Sequence, residues 1–148
     1  MTQYDDYNYG FLSKNTDFQV KRIALDYEYP QLSKPTQTNF SKAVPITEVW
    51  KTDDYHQGVH FYVHDKHFVK YLEQKGLEKL AKQLRKFDFA ISPDFSLLGD
   101  APEQNRLMNI SRNIQISSYL LKHGVNIIPN IRCLGESSYQ YAFLGIPK

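Results

Sequence analysis

The sequence predicts an α/β fold: a parallel-stranded β-α-β-α-β core behind an irregular, aromatic N-terminal arm. Two observations and one packing rule predict it. Short β-branched or aromatic runs recur at Val59–His64, Phe87–Ser92 and Val125–Ile128. Between them lie two longer stretches whose apolar residues return at three- and four-residue steps, the mark of amphipathic helices. Strands alternating with helices pack as parallel strands joined by right-handed crossovers.

A chain of 148 residues suits one domain, read here as 17–148 behind an arm at 1–16. Hydrophobic residues are 41% and charged residues 23%, too balanced for wholesale disorder. The net charge of +2 falls short of an electrostatic footprint that would by itself identify a nucleic-acid partner. A single cysteine, Cys133, excludes an internal disulfide and a zinc-type cluster, so a reducing, cytoplasmic compartment is expected. The start, MTQYDDYNYGF, is acidic and aromatic, and no run approaches the ~18 apolar residues of a membrane span, so no membrane association is expected.

Taken in order, residues 1–16 place Tyr4, Tyr7, Tyr9 and Phe11 among polar residues without a helix or strand period, which gives an extended arm. Phe18–Leu25 offers a strand. The stretch from Pro30 to Pro45 holds three prolines among Ser, Thr, Gln and Asn and reads as a connection, followed by a short strand at Ile46–Trp50. Val59–His64, bounded by Gly58 and Asp65, is a strand. Lys66–Lys86 is a helix with Phe68, Leu72, Leu77, Leu80, Ala81 and Leu84 on one face and Gly76 as a break or kink.

Phe87–Ser92 is the next strand, and Pro93 takes the chain out of the sheet near Asp94. Asp100-Ala-Pro-Glu103 predicts a helix start in which Asp100 caps, Pro102 sits in the first turn and Glu103 completes a capping box. Leu107, Ile110, Ile114, Ser117 and Leu121 form its inner stripe, and His123-Gly124 ends it. Val125–Ile128 is the third core strand, and Glu136–Phe143 a short helix.

In parallel sheets, ligands bind at the carboxyl ends of strands, where loops and helix N-termini converge. That filter selects Asp65, then Asp94 and Ser96, then Asn130 and Arg132 as ligand-binding candidates, with Arg132 suited to a phosphate or carboxylate. Their structural reading is equally simple: turn and cap bonds for Asp94 and Ser96, an ion pair for Arg132. No catalytic residue is assigned. Asn105, Arg112 and Asn113 share a helix whose other face is apolar, where Arg112 could reach a ligand, with facing solvent the plainer reading.

Four of the five histidines, His56, His60, His64 and His67, crowd together, but His60 and His64 on one strand face would lie about 13 Å apart at a rise of ~3.3 Å per residue, too far to share an ion. No metal and no cofactor is expected. Cys133 is read as a buried or inert thiol. The helix from Lys66 is rich in lysine, and Lys79 and Lys82 are the nucleic-acid-binding candidates should that face track a phosphate backbone; a solvated helix face is the plainer account. Nucleophile-elbow, phosphate-loop, dinucleotide-fingerprint and zinc-helix motifs are missing.

Several separated segments carry a family resemblance: Val59-His-Phe-Tyr with Asp65 and Phe68, Ile91-Ser-Pro-Asp-Phe-Ser96, Arg112-Asn113, Gly124-Val-Asn-Ile-Ile-Pro-Asn-Ile-Arg132, and Phe143-Leu-Gly-Ile-Pro147. From about Phe40 onward the chain resembles the bacterial and phage family called domain of unknown function forty-four-seventeen. The resemblance implies a further strand, helix and strand past Pro147, so this chain is expected to be a short or truncated member. It also implies a phage or mobile-element setting. The leading functional expectation is an accessory protein that binds a host or replication-related macromolecule. The alternative is an α/β enzyme or small-anion-binding domain using the strand-end residues. A host or mobile-element protein is the expected partner, nucleic acid a second, and an exposed sheet edge would allow a homodimer.

Overall fold

The computed structural model describes residues 20–23, 27–30, 32–36, 41–71 and 74–147. The expected arm at 1–16 lies outside the described residues. Among the described residues, six strands and three α-helices follow in order: β1 (Val20–Ile23), β2 (Tyr27–Pro30), β3 (Ala43–Pro45), β4 (Gly58–His60), α1 (Gln74–Leu84), β5 (Phe89–Ile91), α2 (Glu103–Lys122), β6 (Ile127–Ile128) and α3 (Tyr139–Ala142). β1 and β2 form an antiparallel ribbon, and β3-β4-β5-β6 form a parallel sheet in that order. The predicted α/β core is therefore present, with each crossover stepping one strand in the same direction.

The main core lies where α1 and α2 cover the sheet. Leu77, Leu80 and Leu84 of α1 and Ile116 and Leu120 of α2 meet Val59, Ala90 and Ile127 of three neighbouring strands, all buried. Phe61, Phe68 and Phe95 extend it with edge-to-face ring contacts of 5.4 and 4.9 Å. A second cluster joins Ile110 and Ile114 of α2 to Tyr141, Leu144 and Leu32. The Glu103 carboxylate accepts the Tyr141 hydroxyl at 2.8 Å, tying the start of α2 to α3.

Four expectations change. A strand forms not at Ile46–Trp50 but just before it, inside the stretch read as a connection: β3 ends on Pro45, tolerated because β3 closes one side of the sheet. Ile46 and Val49, both fully buried, follow a three-residue turn spacing instead of strand alternation.

β4 stops at His60, because the Tyr62 N–H donates to His60 Nδ1 at 3.2 Å and the Val63 N–H to Phe61 O at 2.7 Å, which turns the chain. The single helix expected from Lys66 is split into 3-10 turns at Asp65–His67 and Val69–Tyr71 before α1 begins. Gly76 accommodates this arrangement: a Cβ there would stand 3.0 Å from Tyr71 Cα and 3.1 Å from Lys70 O, so the glycine lets the preceding turn abut α1. Finally, Pro102 occupies the N-cap of α2 with no side-chain cap bond, which makes Glu103 the first helical residue and leaves Asp100 exposed outside the helix. The capping box is lost because it needs the glutamate one turn inside. The other end is as expected: Gly124 adopts φ +82° past the last turn.

Candidate functional site

The segments leaving β4, β5 and β6 run side by side, and their polar side chains pair across the gaps. Asp65, buried after β4, accepts from the Ser96 hydroxyl at 3.1 Å through one oxygen and from the Ser96 N–H at 3.2 Å through the other. Helix α2 clamps the same segment from the far side: Asn113 accepts the Phe95 N–H at 2.9 Å, and the Asn109 amide donates to Ser96 O at 2.8 Å. The extended backbone after β5 leaves its sheet partners, so its polar groups must find side chains, and a buried one left unpaired would cost about 1–3 kcal/mol.

Beside this clamp, Asp94 accepts from the Asn130 amide at 2.9 Å and from the Arg132 guanidinium at 3.1 Å. Asn130 is itself fixed by its N–H, which donates to the buried Ser92 hydroxyl at 2.6 Å. Burial pushes the Asp94 carboxyl above its ordinary value and the nearby Asp65 adds to this, while Arg132 and Asn130 pull it down. The Tyr62 hydroxyl lies 3.5 Å from Asn130 Oδ1, and its ring stacks on His60. Partial burial and the Asp94 charge raise the Tyr62 phenol, opposed by Arg132.

A cavity of about 230 Å³ opens between the Asp65–Ser96 clamp and α2. Arg106, Arg112, Asn105 and Asn109 of α2 line it with His64, Asp65 and Ser96, and Phe95, Leu98, Ala101 and Met108 give it apolar wall. Arg112 is 6% exposed, its guanidinium lies 5.8 Å from the Phe95 ring centroid, and it donates to Asn109 Oδ1 at 3.2 Å. Arg106 is anchored to Ala101 O at 2.9 Å. Among the described lining residues, two guanidiniums, Arg106 and Arg112, stand with one carboxylate, Asp65.

Of the sequence-predicted residues, Asp65 and Ser96 line the cavity, whereas Asp94, Asn130 and Arg132 form the neighbouring cluster. The reading of Arg112 as solvent-facing is corrected, since its flat guanidinium packs on Phe95 and is buried. Of the expectation of a buried or inert thiol, burial is not met: Cys133 is exposed, because the segment after β6 runs over the surface. Lys79 and Lys82 lie exposed on α1, away from the cavity lining. The residues missed were Arg106, Asn109 and Tyr62; the spacing of Asn105, Asn109 and Arg112 at i, i+4 and i+7 was the available signal for one polar helix stripe. Among the described residues no three His, Cys, Asp or Glu side chains gather as a metal site, and no helix is long and apolar enough to cross a membrane.

Comparison with known proteins gives the setting. The family model described as domain of unknown function (DUF4417) matches residues 22–148, so the resemblance seen in separated motifs holds and begins earlier than Phe40. The Gene 1 protein of Mycobacterium phage L5 is 27% identical over 89 residues, 60% of this chain and 38% of the relative. The Gene 1 protein of Mycobacterium phage D29 is 26% identical over 90 residues, 61% of this chain and 33% of the relative. The match thus spans well under half the length of these curated relatives. No solved structure matches the chain at a significant level.

Proposed function

We propose, from the premise that the chain belongs to the DUF4417 family with its phage relatives, that it is a ligand-binding domain for a small organic anion. The observation that carries this is the convergence of Arg106 and Arg112 with Asn105, Asn109 and Asp65 on one cavity beside the carboxyl ends of parallel strands. The arginines and amides would hold a phosphate or carboxylate, Asp65 would accept a hydroxyl or amino group, and Phe95 and Met108 would cover an apolar portion. A cavity near 230 Å³ is below the usual ~300–1,000 Å³ of drug-sized sites, which favours a metabolite the size of a nucleoside monophosphate or smaller.

The test is thermal unfolding with inorganic phosphate, a nucleoside monophosphate and a small dicarboxylate. A true ligand at a hundred times its Kd adds about 2.7 kcal/mol of stability. The gain should vanish in Arg112→Met and shrink in Arg106→Met. An equal response in wild type and both variants would sink the reading.

An accessory role through a host or replication-related macromolecule is the second reading. It is favoured by Tyr139, the first residue of α3, and Phe143, which caps its C-terminal end, four residues apart and each more than half exposed. Tagged protein from a host lysate should retain a specific partner that Tyr139→Ser with Phe143→Ser loses; equal retention by the variant would argue against this surface.

A further inference from the structure

The face of α1 turned away from the core carries Lys75, Lys79 and Lys82, and Lys86 follows in the turn beyond Leu84. Steps of four, three and four residues keep all four on one line of the surface, about 16 Å long at 1.5 Å per residue. All four are exposed. Lysines facing water are ordinary; their neighbours here are not.

Three aromatic rings flank the line, each with an ammonium over it: Lys79 is 5.1 Å from the Trp50 centroid, Lys70 5.2 Å from Tyr71 and Lys86 5.4 Å from Tyr55. The Trp50 indole donates to the Tyr71 hydroxyl at 2.9 Å, which fixes two of the rings as one platform. Several of the described carboxylates nearby are already engaged. Glu48 pairs with Lys51 at 3.0 Å and Asp54 with Lys42 at 2.8 Å, Asp88 faces His56, and Glu78 lies on the α1 flank whose charge reaches Tyr119.

We propose that this face binds single-stranded nucleic acid, with phosphates on the lysine line and bases stacked on Trp50 and Tyr71. Ammoniums alone would serve any polyanion; rings set among them suit a strand whose bases are free to stack, which a duplex hides. A surface cation–π contact is weaker than stacking of a base on the same ring. An incoming base therefore displaces the lysine, whose freed ammonium meets the adjacent phosphate. Stacking accepts every base, so the interface is sequence-tolerant. The proposal is independent of the cavity, which lies against another helix.

Trp50 is the sole tryptophan, so its emission reports on this face alone. The whole chain titrated with a short oligothymidylate at low salt should show quenching. With four phosphates neutralised, the slope of log K against log salt should be about −2.8, from ~0.7 per phosphate on a single strand. Lys79→Glu with Lys82→Glu should weaken binding at least tenfold, while Lys79→Arg with Lys82→Arg should retain it. Lack of quenching, or binding indifferent to salt or to charge reversal, would overturn the proposal. So would a duplex of the same length bound as tightly, or equal quenching by polyglutamate.

Discussion

Replacing Asp65 with alanine removes the acceptor for both Ser96 bonds, at 3.1 and 3.2 Å, in a buried position. Hydrogen bonds to a charged group contribute about 1.5–3 kcal/mol each. Both end on one carboxylate beside a cavity that water can enter, so the pair should cost less than the sum, about 2–4 kcal/mol. Asp65→Asn retains one acceptor oxygen and should lose about half of that, and Ser96→Ala, which keeps the N–H bond, about 1–1.5 kcal/mol. Urea unfolding monitored by Trp50 emission measures this: at a slope of about 2 kcal/mol/M, Asp65→Ala should lower the midpoint by about 1–2 M with the slope unchanged. The double variant should cost less than the two singles added, by about 1 kcal/mol. An unchanged midpoint for Asp65→Ala, or strict additivity, would refute the idea that Asp65 staples the β5 exit to the β4 exit.

Two further outcomes follow from the packing and the charges. A Cβ on Gly58 would fall within the ring of buried Phe89, its register partner in β5. Gly58→Ala should therefore lose 3 kcal/mol or more, beyond the ~1–3 kcal/mol of ordinary overpacking, and Phe89→Leu in the same chain should recover part of it; a mildly affected single variant would contradict the close approach. For Asp94 the folded carboxyl titrates above the ordinary 3.8, so the native state holds its proton more tightly than the unfolded one. This group's contribution to stability is then least favourable above the folded pKa and improves as pH falls through it toward 3.8. The difference in unfolding free energy between wild type and Asp94→Asn should shift toward wild type over that window. A shift of the opposite sign would mean that Arg132 and Asn130 outweigh burial.

The fold was legible where local pattern and tertiary packing agree. Val59, Ala90 and Ile127 sit in short apolar or β-branched runs, and the same residues form the floor of the main core. Pattern failed where one side chain redirects the backbone. The alternation through His64 continues past the end of β4, but His60 Nδ1 captures the Tyr62 N–H and ends the pairing. Proline misled in both directions: Pro45 ends a strand at the side of the sheet, where its missing N–H is harmless, and Pro102 stands at the cap position that Asp100 was expected to fill.

The strand-end rule brought Asp65, Ser96, Asp94, Asn130 and Arg132 into view because each strand delivers its next residues to the same edge. It could not supply the opposite wall. That wall is α2, whose polar stripe of Asn105, Asn109 and Arg112 resembles a solvated face in sequence. What distinguishes the two is Phe95: its ring, placed by the exit from β5, gives Arg112 a flat surface on which a guanidinium can be buried. The lysine line of α1 poses the same problem of a solvated-looking face. There too two of the deciding partners, Trp50 and Tyr55, come from other segments and reach the helix only through the fold, while Tyr71 stands in the turn just before it. In both faces a cation's role is set by the ring beside it, and for Arg112 with Phe95, Lys79 with Trp50 and Lys86 with Tyr55 the two are too far apart in sequence for any periodicity to join them.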